Sequence, residues 1–272
     1  MLLAIDVGNT QTVLGLFRGE ELTWHWRMAT VADRTADELA LLFGGFLAQQ
    51  DLSFSRQVTG VALASVVPDQ TKELREMVRR YFHFSPVVVE PGTRTGMRIL
   101  YDNPKDVGAD RIADAVAAFE RYGGPAIVVD FGTATTFDVI SAEGEYVGGI
   151  IVPGLRVSAG ALFAAAARIP NVEISRPRSV IGRSTVDSVQ AGLVLGTASM
   201  VDGVVERIQK ELGDCAVIAT GGLAEVVLAE TSSIQHHEPW LTLEGLRIIF
   251  DRNAGFDEPE EEPDGEPPGP AA

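Results

Sequence analysis

The sequence predicts an α/β protein built from two similar halves that face one another across a ligand cleft. Three observations carry this. Strand-like and helix-like segments alternate along the chain. A strand–turn–strand block at the N-terminus returns 124 residues later. The chain has 272 residues, 46% of them hydrophobic, enough to bury one or two sizeable cores. A repeat this long exceeds the roughly 20–50 residues of a solenoid unit, so it points to duplication of a whole domain.

Leu2 to Ile5 reads as a buried strand, followed by the turn Asp6-Val7-Gly8-Asn9-Thr10 and a second strand from Val13 to Phe17. Arg18-Gly19-Glu20 turns the chain into the aromatic run Leu22 to Trp26, where the period of two puts both indoles on one sheet face. Thr35 and Glu38 form a capping box for a helix through Leu47, weakened near its end by Gly44-Gly45. A buried strand is expected over Val58 to Val67, a helix over Asp69 to Tyr81 and a short strand at Val87 to Val89. A further helix covers Ile112 to Glu120.

After Gly123-Gly124-Pro125 the opening recurs: a strand from Ala126 to Val129, the turn Asp130 to Thr136, a strand from Phe137 to Ile140, the turn Ala142 to Glu145 and a strand from Tyr146. Asp6, Gly8 and Thr12 are expected to answer to Asp130, Gly132 and Thr136. Pro153 to Ile169 suits either an interface helix or a core helix. Ala216 to Ala219 is a strand running into Thr220-Gly221-Gly222-Leu223 and a helix, an arrangement that lets a ligand approach backbone closely. The expected divisions are an N-terminal half over 1–118, a C-terminal half over 119–255 and an acidic, proline-rich, disordered tail over 256–272.

The net charge of −16 disfavours nucleic acid as a partner, because polyanion binding needs basic residues to release counterions. The tail holds seven of the carboxylates, and the body without it still carries 31 acidic against 22 basic residues. The single cysteine, Cys215, allows neither an intrachain disulfide nor a cysteine zinc site, and fits a reduced cytoplasmic compartment. Asp6 interrupts the apolar start, which excludes a signal peptide, and no apolar run approaches the ~18 residues of a membrane span. His25, His83, His236 and His237 lack metal-ligand spacing. Nucleophile-elbow, P-loop and dinucleotide glycine motifs are absent.

An aspartate at a strand end, followed by glycine and hydroxyl or amide side chains, suits phosphate and metal: small residues expose backbone N–H groups to phosphate oxygens, and the carboxylate recruits Mg²⁺. Either turn alone is also an ordinary hairpin turn. Two of them facing each other, with Gly221-Gly222 in a third strand–loop–helix, form a polyphosphate clamp.

Five segments carry a resemblance over about residues 1 to 253: Asp6-Val7-Gly8-Asn9-Thr10; Tyr101-Asp102-Asn103-Pro104 leading to Gly108-Ala109-Asp110-Arg111; Asp130-Phe131-Gly132-Thr133-Ala134-Thr135; Gly148 to Gly154; and Thr220-Gly221-Gly222. In their order and spacing the chain resembles type III pantothenate kinase, of the actin, sugar-kinase and heat-shock ATPase superfamily. The resemblance implies duplicated actin-like (ribonuclease H-like) domains with mixed β-sheets flanked by helices. It also implies ATP-dependent phosphorylation of the 4′-hydroxyl of pantothenate, the first step of coenzyme A synthesis.

By this resemblance Asp6, Val7, Gly8, Asn9, Thr10, Gln11, Thr12, Val13 and Thr133 bind ATP. Asp6 orients Mg²⁺ through water, and Asp130 holds a monovalent cation, K⁺ or NH₄⁺. Tyr101, Gly108, Ala109, Asp110, Arg111 and Thr185 line the pantothenate pocket, with Asp110 as general base. An aspartate in the first turn of a helix is otherwise an ordinary dipole partner, and Asp114 on the same face reads as structural or salt-bridging. Arg111 is placed to neutralise the pantothenate carboxylate or developing phosphate charge. A homodimer with the substrate pocket near the subunit boundary is implied, with no membrane partner. A non-catalytic regulatory homologue, which would be expected to have lost Asp6, Asp110 or Asp130, and another phosphotransferase or a phosphatase of the superfamily stand as alternatives.

Overall fold

The computed structural model describes residues 1–254, so the expected tail lies outside the described residues. Two mixed sheets dominate. The first runs β3-β2-β1-β4-β5, from β1 (Leu2–Val7), β2 (Gln11–Arg18), β3 (Glu21–Ala29), β4 (Gly60–Ser65) and β5 (Val87–Val88). The second runs β11-β10-β7-β8-β9-β6, from β6 (Arg98–Ile99), β7 (Ala126–Phe131), β8 (Ala134–Ile140), β9 (Glu145–Pro153), β10 (Ala216–Thr220) and β11 (His236–His237). In each, an antiparallel meander is followed by a parallel crossover strand, β4 beside β1 and β10 beside β7.

Central strands buried on both faces explain the near-continuous apolar runs of β1, β4 and β7. Leu3 and Ile5 pack beneath α1 (Ala36–Ala48) and α3 (Pro68–Phe82) through Leu39, Phe43, Leu74 and Met77. Leu2 and Ala4 point the other way, toward α4 (Ala109–Tyr122) and α8 (Leu241–Asn253). The same cluster takes in Ala126, Val128 and Tyr146 of the second sheet, so α4 and α8 form a layer between the sheets. The far face of the second sheet packs on α6 (Thr185–Leu212) and α7 (Ala224–Leu228) through Val201, Val205, Ala224 and Val227. α8 thus returns late in the chain to cover the first sheet, and position 118 falls inside α4.

The Thr35–Glu38 capping box is present in full. Pro68 opens α3 one residue earlier than expected, because its missing N–H lies among the unpaired first-turn donors. β4 is shorter than the Val58 to Val67 run, which begins at the end of a four-residue helix α2 (Phe54–Gln57). A β-bulge between Leu16 and Phe17 puts Leu22 on the opposite face from Trp24 and Trp26, which pair with Leu16 and Leu14. Trp26 stacks on Phe46 at a centroid distance of 5.9 Å, and the His25 ring lies tilted against Trp240 at 4.1 Å. The apolar helix expected over 153–169 is α5 (Leu155–Ala165), since Pro153 still belongs to β9.

α6 combines short apolar runs with a high average hydropathy. This 28-residue helix is long and apolar enough to cross a membrane by length and composition, its most apolar 18-residue window having a mean hydropathy of 1.3. Its uncharged Ser188, Gln190, Gly192 and Thr197 break every run of consecutive apolar residues without lowering the window average far.

Candidate active site

The two turns meet. Thr10 Oγ1 and Thr133 Oγ1 lie 3.0 Å apart, across a sequence separation of 123 residues. Each turn is closed by a glycine N–H, Gly8 donating to the Gln11 carbonyl and Gly132 to the Ala134 carbonyl, both at 3.0 Å. The first loop is one residue longer. Val7 pairs with Thr12 across the first hairpin, whereas Phe131 pairs with Thr135 across the second. Thr12 therefore answers to Thr135, correcting the expected match to Thr136, and both are buried. Thr12 Oγ1 lies 2.9 Å from Thr30 Oγ1, which ties the turn to the end of β3.

Three carboxylates converge beside the turns: Asp6 at the end of β1, Asp130 at the end of β7 and Asp110 in the first turn of α4. Burial raises the Asp6 carboxyl well above its ordinary range, and the negative charges of Asp110 and Asp130 raise it further. Its Oδ1 is buried without a hydrogen-bond partner. Burial, then Asp110 and Asp138, push Asp130 up to about 7. Asp110 is raised by burial, opposed by the Arg111 N–H, which donates to its Oδ1 at 2.8 Å, and by the Arg111 charge. The carboxylate folds back so far that a Cβ on Gly108 would sit 2.4 Å from Oδ1, which makes glycine the residue that fits there. Gly221, at φ +91°, is equally constrained: its Cβ would lie 2.2 Å from Asp130 Oδ1.

Arg111 is half-enclosed by a group that sequence reasoning missed. Its Nε donates to Asp138 Oδ1 at 2.7 Å, and the Tyr146 hydroxyl donates to the same oxygen at 2.6 Å. Thr136 Oγ1 donates to the other oxygen at 3.2 Å. Burial raises the Asp138 carboxyl, against the lowering pull of Arg111 and the Tyr146 bond. Burial acts most strongly, to lower the Arg111 pKa, but Asp138, Tyr146 and Tyr101 together outweigh it and the net shift is upward. Arg111 Nη2 remains buried and unpartnered, with Tyr101 edge-on to Tyr146 at 6.3 Å beside it. The available signal was an aspartate inside the apolar strand Phe137 to Ile140, where a carboxylate is costly to bury unless paired.

Asp114 makes no ion pair among the described residues. Burial raises its carboxyl well above the ordinary range, then Asp130 does so, with a Thr242 hydrogen bond opposing. Thr185 stands apart from the Tyr101, Asp110 and Arg111 group. It opens α6 and is exposed, lining a hollow of about 850 Å³ with Leu162, Ile169, Arg183 and Val189.

No ready-made cage of three or more histidine, cysteine or acidic ligands occurs among the described residues. The residues fit cations of another kind. Mg²⁺ is commonly held by one or two carboxylates plus substrate phosphates and water, and the unpartnered Asp6 oxygen beside two further carboxylates is a site short of positive charge.

Duplicated mixed sheets with facing Asp–Gly turns at their strand ends define the actin-like class of kinase and ATPase folds. Two solved structures share the architecture. The activator of 2-hydroxyisocaproyl-CoA dehydratase from Clostridium difficile, with bound ADPNP, matches with a TM-score of 0.55 and 13% identity, over 92% of this chain and 94% of that one. Component A of (R)-2-hydroxyglutaryl-CoA dehydratase from Acidaminococcus fermentans matches with 0.53 and 15%, over 91% and 95%. Within that class the chain belongs to the type III pantothenate kinase family, whose sequence profile matches residues 2–207. It is 57% identical over 261 residues to the type III pantothenate kinase of Streptomyces griseus, covering 93% of this chain and 98% of that protein. Identity to that of Moorella thermoacetica is 52% over 254 residues, covering 93% and 100%.

Proposed function

We propose that the chain transfers the γ-phosphoryl group of ATP to the 4′-hydroxyl of pantothenate, with Asp110 as general base. Membership of the family supports the reaction, and the observation that carries the assignment of roles is the meeting of the two turns at Thr10 and Thr133 beside the Asp110 carboxylate. Asp110 accepts the proton as the hydroxyl oxygen attacks phosphorus in line and the ADP oxygen leaves. A carboxylate raised toward neutrality is the stronger base for that transfer. Arg111, oriented by Asp138, offers its free Nη2 to the pantothenate carboxylate, with Tyr101 and Gly108 alongside. Asp6 to Val13 and Thr133 hold the phosphates.

Asp6 would hold Mg²⁺ and Asp130 K⁺ or NH₄⁺; bound there, the cations supply positive charge opposite the phosphates. The two sheets form the two walls of the cleft, with α4 and α8 between them. A cytoplasmic homodimer completes the reading. Its support is the exposed apolar surface on and around α5 and α6, including Val157, Leu162, Ile181 and Val186. Thr185, at the start of α6, lies on this exposed surface, where the subunit boundary would fall.

The test is an ATP-consumption assay with pantothenate and Mg²⁺, in K⁺ and then in Na⁺. Phosphopantothenate formed faster in K⁺ is the expected result; no product in either salt sinks the kinase reading.

A further inference from the structure

The site described so far is short of cations. Asp6, Asp110 and Asp130 are all acidic, and the one arginine among them, Arg111, is engaged by Asp138. ATP brings further negative charge into this space, so a nearby unengaged cation matters.

Arg27 is such a group. The β1–β2 register sets Asp6 opposite Val13, and the β2–β3 register sets Val13 opposite Arg27. Residues directly opposite in antiparallel pairs point to the same face, so Arg27 and Asp6 share the face of the first sheet that looks into the cleft. At two strand spacings their backbones are about 10 Å apart. Arg27 is exposed and makes no hydrogen bond or ion pair among the described residues. Its Nη1 comes within 3.4 Å of the point a Cβ on Gly222 would occupy. Gly222 belongs to the loop after β10, and the last residue of β10, Thr220, pairs with Asp130. An arginine from the first half therefore meets the glycine loop of the second, on the cleft face, two strands outward from Asp6.

We propose that Arg27 is a nucleotide-binding residue whose guanidinium donates hydrogen bonds to the phosphate chain of ATP against the Gly221-Gly222 loop. The assignment rests on the kinase reading above. The transferred phosphate has to lie beside Asp110 and the Thr10–Thr133 contact. Arg27, two strands away, therefore serves the phosphates that stay with ADP. A planar fork suits these oxygens better than a lysine ammonium, and the contact belongs to ground-state binding more than to the chemical step.

The test compares the wild-type full chain with Arg27→Ala and Arg27→Lys. Calorimetric titration with ADP and with adenosine is paired with steady-state kinetics in ATP and pantothenate. Arg27→Ala is expected to weaken ADP binding and raise the KM for ATP about 10- to 100-fold. Adenosine affinity, the KM for pantothenate and kcat at saturating ATP stay within about two-fold, and Arg27→Lys recovers part of the loss. Unchanged ADP affinity in Arg27→Ala overturns the assignment. So does an equal loss of adenosine affinity, since that marks damage to the loop rather than loss of a phosphate contact. A wild-type chain that binds no ADP overturns the kinase reading and this assignment together; tight wild-type ADP binding untouched by the substitution overturns the assignment alone.

Discussion

In the first hairpin Gly15 faces Ala4 across the β1–β2 pair; at the equivalent place in the second hairpin Asp138 faces Val128. Where Gly15 leaves room, the side chains of Leu243 from α8 and Leu22 from β3 fill it, so the first hairpin is sealed by apolar packing. Where Asp138 stands, Arg111 from α4 and Tyr146 from β9 close around the carboxylate, so the second hairpin is sealed by a buried polar network. Two copies of one framework thus carry different loads. The first supplies a turn and a dry wall, and the second fixes Arg111, the charged side chain next to Asp110.

The sharpest way to break this asymmetry is at α4. Asp110→Asn preserves the hydrogen bond from the Arg111 N–H but removes the base, so turnover should fall about 10²- to 10⁴-fold while ADP affinity in calorimetry stays near wild type. Unimpaired turnover would take Asp110 out of the base role. Asp138→Ala comes next, because it strands the Arg111 charge. We expect a loss of roughly 3–5 kcal/mol in urea denaturation and a raised KM for pantothenate, with ATP affinity little changed. A normal pantothenate KM would show that Asp138 does not orient Arg111 for substrate.

Asp130 gives a pH signature. Its carboxyl titrates near 7 when folded, against about 3.8 as the ordinary value, so the folded state binds more protons and its stability falls as pH rises between those values. In cation-free buffer Asp130→Asn should therefore gain thermal stability over wild type as pH rises from about 4 to 7, with the gap level above 7 at roughly 5 °C or more. A gap that does not change with pH would contradict the raised carboxyl. The smallest effect belongs to the apolar seal. In Gly15→Ala the new methyl meets two flexible leucine ends, so a cost of about 1 kcal/mol and unchanged kinetics are expected. A catalytic defect there would blur the distinction between the two hairpins.

Much of the framework is legible before folding. Central strands announce themselves as apolar runs because both their faces are buried, and Thr35 with Glu38 marks a helix start by local hydrogen bonding alone. The Asp–Gly turns are visible as a repeat. Their exact alignment is not visible in the sequence, because the extra residue in the first loop shifts the register by one and leaves the Asp and Gly spacing intact. Asp138 was passed over since nothing in the string says that an arginine 27 residues earlier will meet it. The return of α8 to the first sheet is equally silent, because α8 shows an ordinary helical pattern and its partner strands lie some 180 residues or more upstream.

The sequence by itself determined the alternation of elements, the duplication, the family and the acidic residues at the strand ends. All of these rest on short-range regularities: side-chain period, turn chemistry and motif spacing. Tertiary structure alone decided that Thr10 touches Thr133, that Arg111 is held by Asp138, and that Arg27 reaches Gly222. These pairs join distant parts of the chain, and their meeting depends on how the two sheets pack around α4 and α8, a property of the folded core that no local pattern records.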